Sequence, residues 1–254
     1  MLSDAGLKHA CEQFREQGYA VVPDAWQPEE TRQGILALER LVETIRQDAA
    51  AWEDHVLWQR DVLSKQLAAI PEGQRALADG QIYIISDVAA HDPTLEAMVL
   101  DRCCASLASA LLGGSAVCHF SNATIRAATA GCACQWHRDW PNQYCTTKTG
   151  RQLRIMICLD GMQDGQGVTR VIPGSQHWGD RQWQAWRQSP HSLHDEGVPL
   201  LCTPGSLVVL GPTVVHGAGA NLSSHPRRNL IAQWGAETDM ICAQRFEHVM
   251  GLSG

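Results

Sequence analysis

The apolar residues of this chain change period at Gly113-Gly114, and that change restricts the fold more than any other feature. Before it, apolar side chains recur at helical spacing. Ser3 or Asp4 can cap a first helix with Leu7, Ala10, Cys11 and Phe14 on one face, and Gly18 is placed to end it. Tyr19-Ala20-Val21-Val22-Pro23 reads as a short strand. Pro28, Glu29 and Glu30 open a longer helix, with Ile35, Leu38, Leu41, Val42 and Ile45 recurring along it. Residues 48–80 alternate polar and apolar groups without clean caps. Trp52 and Trp58 read as packing residues there, and Pro71-Glu72-Gly73 as a turn. Gln81–Ile85 is a predicted strand, and Asp92-Pro93 begins a helix expected to run through Leu111-Leu112.

After Gly114 the runs shorten and lose the helical period. Val117–Ala128, Arg151–Leu159, Val168–Ile172, Leu200–Val215 and Arg228–Trp234 are apolar segments parted by Gly, Pro and Asn turns. Helices followed by many short strands predict an α+β chain, with helices packed around a β-sandwich or barrel of jelly-roll type. A chain of 254 residues is long enough to bury a substantial core, and we read 1–254 as a single domain. Within it, 1–114 is a mainly helical flank and 115–235 the jelly-roll core.

Composition narrows the partners. Apolar residues make up 44% and charged residues 19%, with no block of like charge, and the net charge of -7 argues against a general polyanion binder. No nucleic-acid partner is expected. Met1–Glu12 has no apolar core of a signal peptide, and no later run approaches the roughly 18 apolar residues of a membrane span. A soluble, cytoplasmic protein with no membrane partner is the expectation. The 10 cysteines, from Cys11 to Cys242, read as small reduced core residues; Cys103-Cys104 and Cys132-Ala133-Cys134 lack the paired spacing of a zinc site.

The chemistry centres on Gln135-Trp136-His137-Arg138-Asp139-Trp140. In a strand, His137 and Asp139 point to one face. His216 sits far along the chain in Leu207–Gly217, which also reads as a strand. Two imidazoles and one carboxylate on one face of an octahedron leave the opposite positions open, an arrangement that suits Fe(II). Taken singly, each histidine reads equally well as an ordinary half-buried strand residue. Arg227, at the head of the next apolar run, offers a guanidinium that can hold a carboxylate bidentately near the metal.

His-x-Asp, a distant His and then Arg227 together resemble the phytanoyl-CoA dioxygenase family of Fe(II)/2-oxoglutarate oxygenases. The resemblance implies a double-stranded β-helix, cupin-like, with Fe(II) held by His137, Asp139 and His216 as the catalytic centre and with 2-oxoglutarate and O2 as co-substrates. It places Arg227 on the distal carboxylate of 2-oxoglutarate, with Arg228 facing the other way. Many relatives carry a hydroxyl two residues after the distal His, where this chain has Ala218; Asn122, Thr124 and Asn142 are the candidate replacement donors. Val171–His177 resembles the family's strand-ending turn, with Gln176 intervening before His177. The carboxylate of Asp139 favours hydroxylation or another oxidation over halogenation.

For the substrate, Trp140, Trp178 and Arg181 are the candidate contacts, whereas alternation turns Trp136 and Arg138 away from the metal. The Trp-rich segment Trp178–Glu196 either closes over the mouth of the jelly roll or packs on its outside as a surface helix and loop. The resemblance thus implies oxidation of a C–H position on a small molecule of a natural-product pathway, with succinate and CO2 as co-products. Two alternatives stay open: a cupin-type metalloenzyme that does not use 2-oxoglutarate, against which Arg227 speaks, and a non-catalytic jelly-roll binding protein.

Overall fold

Helix α1 (Asp4–Gln17) starts where the Ser3 hydroxyl accepts from Gly6 N at 3.1 Å and stops at Gly18, whose φ of 82° suits glycine. Gly18 is required for a second reason, since a Cβ there would fall 2.6 Å from Gln176 Oε1. The computed structural model describes residues 3–66, 80–142 and 145–244, so the turn expected at Pro71-Glu72-Gly73 lies outside the described residues. Strand β1 (Tyr19–Val22) leads into α2 (Pro28–Gln47), which opens on Pro28 with a Gln27–Glu30 capping box and buries Leu38, Leu41 and Ile45. The stretch without clean caps holds β2 (Val56–Trp58) and α3 (Gln59–Gln66), and Trp52 and Trp58 pack against the core as expected.

Beyond β3 (Ile82–Ser86) comes a short helix α4 (Val88–His91), and the single helix predicted from Asp92 to Leu112 is instead two: α5 (Pro93–Val99) and α6 (Arg102–Leu112). Competing caps explain the break. Asp92 accepts from Thr94 N and Leu95 N, and Asp101 from Cys103 N at 2.6 Å, so each aspartate starts a helix of its own. Gly113 then ends α6 with φ 71°.

The strands after Gly114 are β4 (Ala116–Arg126), β5 (Cys134–His137), β6 (Cys145–Thr147), β7 (Gln152–Cys158), β8 (Thr169–Val171), β9 (Val198–Pro199), β10 (Ser206–Leu210), β11 (His216–Ala218), β12 (Arg227–Ala236) and β13 (Ile241–Gln244). They form a seven-stranded sheet ordered β1-β10-β7-β12-β4-β3-β2, a four-stranded sheet ordered β5-β11-β8-β9, and the pair β13-β6. Every pairing is antiparallel. Strands β1, β2 and β3 from the helical flank are hydrogen-bonded into the large sheet, so the flank and the β core share one sheet.

Alternation divides the large sheet into two different faces. Leu153, Ile155, Ile157, Leu207, Val209, Leu230 and Ala232 point outward and join Ala37, Leu38, Ile45, Leu95 and Leu107 of the helices in one buried core. Each such side chain, fully buried, contributes roughly 1.5–3 kcal/mol of transfer free energy. The opposite face looks into the jelly roll. At one edge Met156, Cys158, Val208 and Leu210 meet Val171, Val214 and Leu200 of the small-sheet side. Across its middle the inner positions are polar: Asn122, Thr124 and Arg126 of β4, Arg227 and Asn229 of β12, and Arg154 of β7.

One apolar run read as continuous, Leu200–Val215 with His216 at its end, is broken in the structure. Strand β10 stops at Leu210, Gly211-Pro212-Thr213 turns the chain, and His216 begins β11 in the other sheet. Pro212 has no N–H to give a ladder, and a Cβ at Gly211 would lie 2.8 Å from the Gly18 carbonyl.

Candidate metal centre

Strands β5 and β11 are antiparallel neighbours with His137 directly opposite His216, and their ring centroids lie 4.2 Å apart. In each imidazole Nδ1 faces a backbone carbonyl two residues upstream: Gln135 O at 2.8 Å for His137 and Val214 O at 3.0 Å for His216. A carbonyl can only accept, so Nδ1 carries a proton in both rings and Nε2 is the atom that can offer a lone pair to a metal. The two Nε2 atoms approach the two oxygens of Asp139, His137 Nε2 to Oδ1 and His216 Nε2 to Oδ2, both at 3.7 Å. One ligand atom from each of the three residues lies within 4.8 Å of the others.

Asp139 reaches this position differently from the expectation. Strand β5 ends at His137, so Asp139 lies in the bend beyond it and not on a shared strand face. The bend is held by Trp140 N donating to Pro212 O at 2.8 Å and by Asn142 Nδ2 donating to the Asp139 carbonyl at 2.5 Å. The Asp139 side chain is 2% exposed, and neither carboxylate oxygen has a well-formed hydrogen bond. Arg154 Nη1 stands 2.9 Å from Oδ1.

Charge and burial settle the protonation of the trio. Burial pushes the Asp139 carboxyl up, but Arg154, then His216 and His137, outweigh it and hold it below the ordinary aspartate value. Burial, followed by the charge of His137, pulls His216 down to about 4, which keeps that ring neutral near pH 7. For His137 burial also acts downward, yet the negative charge of the Cys134 sulfur, 3.8 Å from Nδ1, and then that of Asp139 reverse the sign and lift the imidazole to about 9. A buried carboxylate facing the Nε2 atoms of two imidazoles is the donor set a divalent cation requires, and a cation binding there displaces the proton that His137 holds near neutral pH.

Arg227 is on the inner face of β12 and 1% exposed. Its Nη2 donates to Gly167 O at 2.8 Å, its Nε to Gln166 O at 3.3 Å, and its Nη1 meets Met162 Sδ at 3.4 Å. Burial, then the neighbouring Arg126, pulls its guanidinium down to about 9. Arg228 faces the other way, as alternation requires, and pairs with Asp160 at 2.7 Å and Glu39 at 2.6 Å.

The remaining expected site residues divide. Asn122 and Thr124 lie on the inner face of β4, and Asn122 Oδ1 is buried with no partner. Asn142 is occupied in shaping the bend, with its Oδ1 accepting from Cys145 N. The Trp140 indole donates to Thr147 O at 2.8 Å and packs on Gly150, where a Cβ would sit 3.0 Å from the ring. Trp178 and Arg181 belong to the segment that packs on the neighbours of the ligands, Trp136 and Arg138. Trp136 and Arg138 point to the other side of β5 and collect the Trp-rich segment there, on α7 (Asp180–Arg187) and its flanks. Arg138 donates to the carbonyls of Ser175 and Trp178, Trp136 packs edge-on against Trp186, and Trp178 lies 5.9 Å from Trp186. Arg181 is exposed on α7. The segment also covers the outer side of Gly217 and Gly219 through Leu193 and His194.

Two interior residues, Arg126 and Arg154, escaped the sequence reading although a signal was present. Each is a charged residue at an inward position of a strand, Asn122-x-Thr124-x-Arg126 and Arg154-x-Met156-x-Cys158. A cation in such a place needs a partner inside.

An antiparallel jelly roll holding two imidazoles and a carboxylate at its centre defines a protein built to bind a single metal ion in its interior. Comparison with known proteins agrees. The family model described as phytanoyl-CoA dioxygenase (PhyH) matches residues 14–229, and the chain belongs to that family. It is similar to L-proline trans-4-hydroxylase of Streptomyces griseoviridis, 28% identical over 159 residues that span 52% of this chain and 59% of that protein. It is also similar to dioxygenase ALT11 of Alternaria alternata, 27% identical over 123 residues, or 46% of this chain and 37% of that protein. Both matches span less than two thirds of the curated relatives. Among solved structures, EctD from S. alaskensis, crystallised with 2-oxoglutarate and 5-hydroxyectoine, superposes with a TM-score of 0.71 at 22% identity, over 92% of this chain and 77% of that one. No helix among the described residues is long and apolar enough to cross a membrane.

Proposed function

We propose that this protein is an Fe(II)- and 2-oxoglutarate-dependent dioxygenase that hydroxylates, or otherwise oxidises, a C–H position of a small biosynthetic molecule. The observation that carries the reading is the convergence of His137, Asp139 and His216 within 4.8 Å. The dioxygenase names of its relatives, the proline hydroxylase among them, and the 2-oxoglutarate bound to a protein of the same fold support it. For a hydroxylation the balance is one substrate C–H, one 2-oxoglutarate and one O2 giving the alcohol, succinate and CO2.

His137 Nε2, His216 Nε2 and an Asp139 oxygen would hold the iron. Bound there, iron supplies the redox chemistry that couples O2 to 2-oxoglutarate and the substrate. The chain's part is orientation and exclusion of water. Gln135 O and Val214 O orient the rings, and Arg154 stands 2.9 Å from one oxygen of Asp139 and stabilises its ionised form. Arg227 takes the distal carboxylate of 2-oxoglutarate, and Asn122 and Thr124, on the same inner face, supply polar contacts. A dry interior strengthens each of these attractions.

The test is anaerobic addition of Fe(II) and 2-oxoglutarate to metal-free protein, watching for the visible charge-transfer band of the chelate. Air is then admitted and succinate measured. His137→Ala, Asp139→Ala and His216→Ala should abolish both signals, and Arg227→Ala should weaken 2-oxoglutarate binding while leaving Fe(II) binding in place. Full signals in any of the three ligand variants would remove that residue from the centre.

A further inference from the structure

We infer that Arg126 is a second anion-binding arginine, set beside Arg227 so that the pair grips one carboxylate and selects a 2-oxo acid carrying a second carboxylate group. The inference rests on the 2-oxoglutarate reading above and adds a specificity-determining residue to it.

The register of β4 and β12 places Arg126 directly opposite Arg227 on the inner face of the sheet. Both are almost fully buried, at 5% and 1% exposure. Directly opposed side chains in an antiparallel pair have their Cβ atoms only about 4.5–5.5 Å apart, where like charges destabilise the sheet. The groups that touch the two guanidiniums directly are carbonyls, an aromatic ring and a thioether. Arg126 donates to the Cys132 carbonyl and lies 5.5 Å over the Tyr83 ring, while Arg227 is held by the carbonyls of Gln166 and Gly167 and by Met162. Among the described residues no carboxylate is within ion-pair distance of either.

Two adjacent cations in a low-dielectric interior are a costly arrangement unless an anion joins them. The architecture does not demand the second charge, since a neutral amide at position 126 could still donate to Cys132 O. A carboxylate between the two guanidiniums would turn their repulsion into attraction and accept from two planar forks instead of one. The location fits the metal centre. Arg126 donates to the Cys132 carbonyl, two residues before Cys134, whose sulfur lies 3.8 Å from His137 Nδ1. Asn122 and Thr124 line the same strand face. A five-carbon 2-oxo diacid has one end to chelate and one to place between the arginines; a 2-oxo monoacid leaves the pair without its anion.

The experiment compares 2-oxoglutarate with 2-oxobutyrate on the Fe(II)-loaded protein without O2, following the chelate absorption to obtain two dissociation constants. Wild type should prefer the diacid, and Arg126→Gln should lose that preference by about tenfold or more, the range of one charge-assisted hydrogen bond. An unchanged ratio overturns the inference. A second arm titrates the metal-free protein with succinate by calorimetry: wild type should bind it and Arg126→Gln bind it more weakly. Should wild type form no chelate at all, the iron reading falls and the succinate arm still decides the role of Arg126. Should the glutamine variant fail to fold, a crystal structure of wild type with 2-oxoglutarate decides. A carboxylate within hydrogen-bond distance of both guanidiniums supports the inference, and contact with Arg227 alone overturns it.

Discussion

His137, Asp139 and His216 would be unremarked side chains if any one of them stood elsewhere; what makes them a site is how each is aimed. Both imidazoles are oriented by carbonyls of their own strand entries, and Asp139 by Arg154 at 2.9 Å. That arginine has a measurable consequence. The guanidinium holds the Asp139 carboxyl below its ordinary value, so the carboxylate stays ionised and ready for a cation as the pH falls. Replacing it, as in Arg154→Met, raises the carboxyl, and protons then compete with metal at a higher pH. Co(II) titrations across acidic pH should therefore show weaker binding in the variant, with the loss of affinity setting in at higher pH than in wild type. Identical pH profiles would mean that Arg154 does not govern Asp139. The three ligands and Arg227 were legible from residue type and order. Arg126 and Arg154 were not, because reading a buried charge requires knowing that its strand face is the inside.

Elements set those side chains at the required distance, and the short turn Pro173-Gly174-Ser175 illustrates how. Ser175 is 0% exposed, and its hydroxyl accepts from Val215 N at 2.8 Å, one residue before His216. Gln176, the residue interposed before His177, reaches the other way and donates to Glu16 O at the end of α1 at 3.0 Å. The turn thus ties the first helix to the entry of β11. Ser175→Ala strands a buried N–H and should cost about 1–3 kcal/mol of stability, read from the denaturant midpoint, together with weaker metal binding because His216 follows at once. A variant as stable as wild type would show that Val215 N finds another acceptor. Glycine at 217 and 219 belongs to the same logic. A Cβ at Gly217 would fall 2.9 Å from Leu193, and one at Gly219 2.8 Å from His194, so the outer side of β11 is covered closely while His216 and Ala218 face inward. Helix starts and stops were readable from Ser3, Gly18, Pro28 and Gly113; the split at Asp101 was missed because a capping aspartate inside an apolar helical pattern is locally ambiguous.

For the molecule as a whole, the centre joins segments that the unfolded chain keeps far apart. His137 and Asp139 come from β5 and the bend after it, His216 from β11, and the large sheet behind them carries the arginines. A cation bound to all three ligands binds the folded state alone, so Fe(II) or Co(II) at about 100 times its dissociation constant should stabilise the protein by about 2.7 kcal/mol. Thermal unfolding with and without metal measures this, and His216→Ala should lose the increment; an increment that persists would place the ion elsewhere.

The linear sequence by itself determined the elements and the ligand types, since capping, glycine and proline positions and apolar alternation act within a few residues of each other. It likewise offered the side chains that can hold a metal, His137, Asp139 and His216. Tertiary structure alone decided that the run ending at His216 crosses from one sheet to the other at Gly211-Pro212, and that Asp139 returns to the imidazoles from a bend. It also decided that Trp178 packs beside Trp186, and that Arg126 stands opposite Arg227. Those outcomes depend on strand register and on which face is enclosed. Both are set by contacts between residues distant in the chain, which local spacing does not encode.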